Sequence, residues 1–543
     1  MGVRKPLQQY LSFSSEELLD SWKEIASHLS RDVRTVQRWE RTRALPVHRL
    51  PGGAKPGVFA LKPEVDRWWQ GEQQRPGDLP ETATPPVREP SVAVLPFANL
   101  SADRENEYFS DGLADEIITA LSRMPGLHVT ARTSSFAFRG KERDVREIGA
   151  ALGVSTILEG SVQRSRDRIR VSAQLVSARN GFHLWSEHYD SHLGDLFEIQ
   201  DRISRAIAGA FAVHAGPSSA VRPAPLPEAY HQWLKGRYYH RYESAEVIGH
   251  CMACYRQAIA LDPSFSRPYL GLAESYRGLS DYGNVRPKEV GPDGWAAIRT
   301  ARGLDDSIGE AYALSGAYRG WLEFDWQGAE EDFAKAVILS PAAVEAHSLR
   351  AMTCLVPCSR LHEAVLELRK ALELDPLSLL MHSWLGWVLG FSREFPAALR
   401  ELEAALALNP EYPVALGLRG SILYYAGRVE EGVASWRAAV ERMGRAAGAL
   451  GALGYGIARL GRRAEAAAIL GELDAAAERG YVTPISRAWV HLGLGDADAA
   501  FHWLNQAVDE RDPHLLHLPS KPVYDPIRDD PRFHALLSRM RLT

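Results

Sequence analysis

Only four cysteines occur in 543 residues, all between positions 251 and 358, which excludes a disulfide framework and fits a reducing compartment. Long apolar runs are missing too. The least polar stretch, Leu377–Ser392, is 16 residues long and holds His382 and three serines, too short and too wet to cross a bilayer. The N-terminus, Met1-Gly-Val-Arg-Lys-Pro6, has neither an apolar core nor a small-residue cleavage site, and Pro6 stands where a myristoylation signal takes Ser or Thr. A cytoplasmic protein with no membrane contact is expected. An excess of one charge sign is also absent: 63 Lys and Arg face 68 Asp and Glu, for a net charge of −5. That balance excludes a chain that coats nucleic acid with its whole surface. No Walker glycine loop, dinucleotide glycine fingerprint, Gly-x-Ser-x-Gly elbow or His-Glu-x-x-His helix is present, so we expect no enzyme activity of these kinds, no cofactor and no metal.

At 45% hydrophobic and 24% charged, the chain is long enough for several buried cores. Two proline-rich stretches lose hydrophobic periodicity: Gln70–Pro90, with prolines at 76, 80, 85, 86 and 90, and His214–Pro227, with prolines at 217, 223, 225 and 227. Read as linkers, they divide the chain into a module at 15–70, a linker at 71–90, an α/β domain at 91–213, a second linker at 214–227 and a helical region at 228–543. The expected fold is multidomain and mainly α: a small winged helix-turn-helix, a mixed-sheet α/β domain and an α-solenoid.

In the first module Ser21-Trp-Lys-Glu24 has capping-box spacing, which predicts a helix from Trp22 with Ile25, Ala26 and Leu29 facing inward. After Ser30-Arg-Asp32, a second helix carries Val33, Val36 and Trp39 on one face and Arg34, Thr35, Gln37, Arg38 and Arg41 on another. Residues 45–60 read as a glycine-tipped hairpin and Pro63–Trp69 as a third helix. From Arg31 to Lys62 eight basic residues face two acidic ones, a local +6, which leaves −11 for the rest. A compact basic patch of this kind is the footprint of phosphate binding, and Gln and Arg on a helix reach base edges. The segment Arg34-Thr-Val-Gln-Arg-Trp-Glu-Arg41 with Leu45-Pro46 resembles the second helix of MerR-type and excisionase-type winged-helix domains over about residues 20–70. The resemblance implies that Arg34, Thr35, Gln37 and Arg38 face DNA, with His48, Arg49 and Lys55 on the wing touching its backbone and Arg41 adding charge. The same arginine-rich face would also serve as a plain solvated surface or a protein-docking face. Trp39, Trp68 and Trp69 are expected in the core.

In the middle domain the pattern reads β-α-β-α-β-β-β-α: Ser91–Phe97, Tyr108–Met124, Leu127–Ala131, Val145–Leu152, Thr156–Arg164, Arg168–Ser177, His183–Tyr189 and Leu196–Phe211. Ala93-Val-Leu-Pro-Phe-Ala-Asn-Leu-Ser101, Tyr108-Phe-Ser-Asp-Gly-Leu-Ala-Asp-Glu116, Arg132-Thr-Ser-Ser-Phe136, Leu158-Glu-Gly-Ser-Val162 and Leu184-Trp-Ser-Glu-His-Tyr-Asp190 resemble the TolB amino-terminal-like domain of bacterial regulators. That resemblance implies an assembly or interaction role and supplies no catalytic residue. Asp111, Asp115, Glu116 and Glu187 would make a carboxylate cluster if they converged. The alternative is a helix start at Asp111-Gly112, where carboxylates complement the exposed amides.

Four helix endings recur, Ala258–Pro263, Ala336–Pro341, Ala371–Pro376 and Ala405–Pro410, with the last three prolines 35 and 34 residues apart. This is tetratricopeptide periodicity. The first gap, 78 residues, would hold two units plus an insertion at Ser280–Pro292. About eight units are expected, closed by a capping helix at Asp530–Met540. Cys251 falls on a small buried position, so Cys251-Met-Ala-Cys254 reads as core; Cys354, Cys358 and His514-Leu-Leu-His517 lack partners for zinc. The groove of such a solenoid implies a protein or peptide partner, and a DNA reader this small gains from homodimerisation on a two-fold site. Similar domain combinations accompany nucleotide cyclases, although no segment here is left over for a cyclase domain.

Overall fold

The computed structural model describes residues 18–19, 21–29, 33–43, 45–49, 58–73, 90–101, 107–124, 126–141, 143–165, 168–192, 196–211, 225–239, 245–281 and 285–543. The chain forms two compact units, residues 1–88 and 89–543.

The first unit contains β1 (Leu18–Leu19), α1 (Trp22–His28), α2 (Val33–Arg43), β2 (His48–Arg49), β3 (Val58–Leu61) and α3 (Lys62–Gln73), with antiparallel strand order β1-β3-β2. Ser21 caps α1 as the capping-box spacing predicts, its side chain accepting from the Glu24 amide at 3.3 Å. Ile25, Ala26, Leu29, Val36, Trp39, Leu45, Ala60 and Val65 form the core. Trp68 and Trp69 lie against Trp39 with ring centroids 5.8 and 5.5 Å away, so the three indoles pack rather than project. α3 runs four residues past the expected Trp69, and the hairpin tip at 51–57 lies outside the described residues.

The α/β domain contains β4 (Ser91–Val94), β5 (Ala98–Asn99), α4 (Glu107–Leu121), β6 (His128–Val129), α5 (Arg132–Phe136), α6 (Val145–Leu152), β7 (Thr156–Ser165), β8 (Arg168–Ser177), β9 (His183–His192) and α7 (Leu196–Ala210). The sheet is mixed, with order β6-β4-β7-β8-β9: β4 runs parallel to β6 and β7, β5 pairs parallel with β7, and β7-β8-β9 form an antiparallel meander. Its apolar face carries Val92, Val94, Leu158, Val171 and Leu175 against Leu113 and Ile117 of α4 and Ile203 and Ile207 of α7. α6 closes a smaller core with Ala93, Ile157 and Ala178, and Gly149 permits the approach, since a Cβ there would fall 2.3 Å from that of Ala178. β5 and α5 were not expected from the pattern, being too short to show a period.

Among the described residues the solenoid shows eight antiparallel pairs: α8 (Pro227–Tyr239) with α9 (Ala245–Leu261), α10 (Arg267–Asp281) with α11 (Pro287–Leu304), α12 (Gly309–Tyr318) with α13 (Trp326–Leu339), α14 (Val344–Arg350) with α15 (Leu361–Leu374), α16 (Leu379–Phe391) with α17 (Phe395–Leu408), α18 (Pro413–Tyr425) with α19 (Val429–Arg442), α20 (Ala447–Arg459) with α21 (Arg463–Ala477), and α22 (Pro484–Leu494) with α23 (Ala497–Glu510). α24 (Pro531–Arg539) follows, its start capped by Asp530. The repeats are tetratricopeptide-like in period and pairing. Gly386 meets Leu402 and Ala398 as the repeat frame requires, with a virtual Cβ 2.8 Å from Leu402 Cγ. The expected insertion at Ser280–Pro292 is corrected: α10 runs to Asp281 and α11 begins at Pro287 with Pro292 inside it, so most of that stretch belongs to the helices of the second pair. π-helical turns at Arg319–Glu323 and Ala351–Leu355 extend α12 and α14. First helices of successive pairs pack on one another, α10 on α8 and α12, and α12 on α14, and so form the inner wall of the stack.

Candidate functional site

In the first unit, α2 places Val36 and Trp39 in the core, with Thr35 and Gln37 half-buried between core and surface. Arg34, Arg38 and Arg41 lie on the same helix and Arg49 on β2, but their side chains are outside the described residues, as is Lys55 altogether. His48 is committed internally: its Nε2 lies 2.7 Å from Glu64 Oε2 on α3, and its ring stacks on Phe59 at 5.1 Å. Its Nε2 is thereby engaged within the unit. A second clasp, His28 Nε2 to Asp66 Oδ1 at 2.6 Å, ties α1 to α3. Neither clasp was legible in the sequence, where the histidines stand 16 and 38 positions from their carboxylates.

The carboxylates of α4 take a different part from either one expected of them. The helix begins at Glu107, so Asp111-Gly112 lies in its second turn and the reading of a helix start is corrected. Gly112 instead lets α4 approach α8, because a Cβ there would sit 2.4 Å from Leu234 Cδ2. Arg237 of α8 donates to Asp115 through Nη2 at 2.8 Å and Nε at 3.3 Å, with Arg132 Nε at 3.7 Å. Arg267 of α10 donates to Glu116, and Arg139 to Asp111. Burial opposes the charge on Asp115, yet Arg237 and Arg132 outweigh it and hold the carboxyl below its ordinary value. Asp115 in turn raises Arg237 well above its usual range. Glu187, exposed on β9, takes no part. The Asp115–Arg237 and Glu116–Arg267 pairs fasten the α/β domain to the solenoid wall, while Asp111–Arg139 lies within the α/β domain; Asp115, held ionised by its arginines, is poorly suited to moving protons.

Further along the wall, α5 docks on the loop after α15. The Ala131 amide donates to Leu374 O at 2.7 Å, the Ser134 amide donates to Asp375 Oδ1 at 2.9 Å, the Ser134 hydroxyl donates to the same oxygen, and the Leu377 amide returns to Ser134 Oγ at 2.8 Å. Between these seats the first helices show Glu274, Glu310 and Glu345. Burial pushes Glu310 up against the pull of Arg237, whose Nη1 is 4.0 Å away. Glu345 lies exposed at the start of α14.

The chain's own C-terminus occupies another stretch of the wall. After α23 come 3-10 turns at Pro513–His517 and Pro522–Ile527. Trp321 Nε1 donates to Arg511 O at 2.7 Å and Trp326 Nε1 to Met540 O at 2.8 Å. His517 packs between Trp387 and Phe391, and Arg393 donates to Asp525 at 2.6 Å. Lys521, 4% exposed, sits with Nζ 3.5 Å from the Trp489 ring centroid and 5.1 Å from that of Trp387, and burial pushes its amine down to about 7. The peptide groove expected of the repeats is therefore filled in part by α4, α5 and residues 511–540 of the same chain.

Cys251 is buried and Cys254 half-buried on α9, and all four thiols are free. Burial pushes Cys254, Cys354 and Cys358 up, which disfavours the thiolate a metal or nucleophilic role needs. Among the described residues no group of three His, Cys, Asp or Glu is placed to hold a metal, and no helix is long and apolar enough to cross a membrane.

No protein-family profile matches the chain. Putative adenylate cyclase 3 of Rhizobium meliloti (strain 1021) is 40% identical over 188 residues, 33% of this chain and 32% of that protein. Human tetratricopeptide repeat protein 13 is 27% identical over 111 residues, 20% of this chain and 13% of that one. The chain thus spans a third or less of the length of these curated relatives. Among solved structures, YrrB, a tetratricopeptide protein with an unusual peptide-binding site, aligns at TM-score 0.25 and 18% identity over 37% of this chain and 93% of its own. Pseudomonas aeruginosa pilF aligns at TM-score 0.29 and 16% identity over 48% and 96%, and a monomeric mutant of IFIT1 at TM-score 0.41 and 14% identity over 65% and 78%. The repeat assignment here rests on this chain's own period and helix pairing.

Proposed function

We propose that this chain is a non-catalytic interaction scaffold, in which the solenoid and the α/β domain act as one body toward a protein partner. The observation that carries this reading is the ion-paired seat of α4 on the first helices: Asp115 on Arg237 and Glu116 on Arg267. Charged groups that could have done chemistry are spent on holding two domains together, and helix-pair stacks act by presenting surface. The residues of the middle domain resemble the TolB amino-terminal-like domain, and that resemblance fits an assembly role. The likeness to Putative adenylate cyclase 3 supports a scaffold that works beside a cyclase, with turnover belonging to a partner. Crosslinking in the host cell, followed by mass spectrometry, tests the reading. Reproducible crosslinks from one other protein to residues 89–543 support it; self-crosslinks alone, or nucleotide turnover by the pure chain, overturn it.

A second reading, that the first unit binds DNA as a winged helix-turn-helix regulator, is favoured by the +6 balance over 31–62 and by the order α1-α2-hairpin-α3. It assigns Arg34, Thr35, Gln37, Arg38 and Arg41 to the groove and Arg49 and Lys55 to the backbone. Sheared genomic DNA retained by the full chain at about 150 mM salt, beside an Arg34→Ala/Arg38→Ala variant, separates the readings. A shared site lost by the variant favours a regulator, and no enrichment leaves the scaffold.

A further inference from the structure

The connections of the sheet change face between β4 and β6. Val92 and Val94 of β4 pack with α4, whereas Ala93 packs with α6, so the two helices cover opposite faces. β4 leads through β5 into α4, β6 leads through α5 into α6, and β4 and β6 are parallel neighbours. Adjacent parallel strands whose connections leave to opposite faces open a crevice beyond their carboxyl ends, the place where such sheets take ligands. α4 carries the chain back to the start of a parallel strand, so it begins at that end, and Ser110 stands in its first turn. Thr130 directly follows β6, and Ser135 lies on α5 just beyond. Ser110 is 1% exposed and Thr130 and Ser135 0%, and among the described residues none of the three hydroxyls has a hydrogen-bond partner. A buried hydroxyl left unpaired is costly, and native interiors hold few of them. Three at the ends of two neighbouring strands point to a common partner.

We infer that this crevice binds a small uncharged polyhydroxylated molecule through the hydroxyls of Ser110, Thr130 and Ser135. The charges beside it are already matched, Arg139 donating to Asp111 and Arg237 to Asp115. The ligand therefore needs no net charge; it needs groups that both donate and accept, as serine and threonine hydroxyls do. Arg139 also ties the chain beyond α5 to α4, and its side chain, 37% exposed, stands at the solvent edge. The Arg132 and Arg139 guanidiniums lie 4.6 and 5.4 Å from the Phe136 ring centroid, which fixes that ring beside them. α5 is held from its other side by Ser134 on Asp375, so the solenoid steadies the helix that carries Ser135.

Saturation transfer in NMR, from the full chain to glycerol, ribose or myo-inositol and in parallel to acetate or inorganic phosphate, tests this. Transfer to at least one polyol and to neither anion is expected. Ser110→Ala/Ser135→Ala removes two hydrogen bonds to the polyol and is expected to weaken its binding by about tenfold or more. Without a probe the same variant is expected to keep or raise its unfolding midpoint, because each substitution removes an unpaired buried hydroxyl. Loss of binding is then not loss of fold. No transfer to any polyol, transfer to an anion alone, or binding that the variant leaves unchanged overturns the inference. A variant that unfolds earlier than the wild type overturns it too, since ordered water would then already meet these hydroxyls.

Discussion

Replacing Arg237 by Met is the sharpest test of how the two parts of the larger unit hold together. The guanidinium reaches Asp115 at 2.8 Å, and the Asp115 side chain is only 7% exposed. Without Arg237, Asp115 keeps one guanidinium contact, Arg132 at 3.7 Å. Breaking a buried pair while leaving one charge behind costs about 3–5 kcal/mol. The loss should appear in urea unfolding as a lower midpoint, with the α/β domain and the solenoid separating into two transitions where the wild type shows one. The double variant Arg237→Met/Asp115→Leu removes both charges and should recover most of the loss, since a well-packed apolar pair replaces a buried ion pair at little net cost. The pH dependence has a fixed sign. The Asp115 carboxyl is held below its ordinary 3.8 when folded, so the clamp contributes in full above that value and is lost as pH falls through the folded one. A single variant within about 1 kcal/mol of wild type, the range of an exposed pair, would refute the reasoning; so would a double variant as unstable as the single.

Other consequences are independent of that clamp. Lys521 has a folded value of about 7 against an ordinary 10.5, so stability should rise between those pH values as the unfolded chain keeps the extra proton. At about 1.4 kcal/mol per unit the rise is on the order of 5 kcal/mol at most, reduced by the attraction of the Trp489 ring, and Lys521→Met should flatten it in denaturation curves taken across that range. Gly386→Ala forces a methyl to 2.8 Å from Leu402 Cγ and 2.9 Å from Ala398 O; calorimetry should show a loss of about 1–3 kcal/mol, and a neutral result would mean that the fifth pair is looser than described. Ser134→Ala strips one donor from the buried Asp375 carboxylate, which keeps the Ser134 amide. A loss of about 1–3 kcal/mol is expected, with faster amide exchange confined to α5 and the loop after α15.

Local features were legible because their causes are local. The 34- and 35-residue spacing of Pro341, Pro376 and Pro410 and the small residues Gly386 and Ala398 report one helix packing on its neighbour in sequence, and all three helices of the first unit were placed within a residue of their observed starts. Ser21 and Glu24 speak within one turn of helix. The strands β7, β8 and β9 are adjacent in sequence and paired in order, so their alternation sufficed. What escaped was chosen by tertiary contact. Asp115 and Arg237 are 122 positions apart, Glu116 and Arg267 151, and Ser134 and Asp375 241. Nothing in the pattern around Asp111-Gly112 distinguishes a helix start from a helix that needs a glycine to lie against another.

The same distances change what the repeats are for. An open wall of first helices is a binding groove, and the residues that would line it are here already engaged: Arg237 and Arg267 by α4, and Trp321, Trp387 and Phe391 by the C-terminal turns. The turns are not detachable as a short peptide would be, because Leu515, Leu518, Val523, Tyr524 and Ile527 share the core of the last two helix pairs. A protein partner displacing them would have to expose that core, an opening far costlier than the surface it gains. On the proposed scaffold reading, partner binding would therefore fall to surfaces its own chain leaves uncovered, with the inner wall serving as the seat on which the α/β domain and residues 511–540 are fixed.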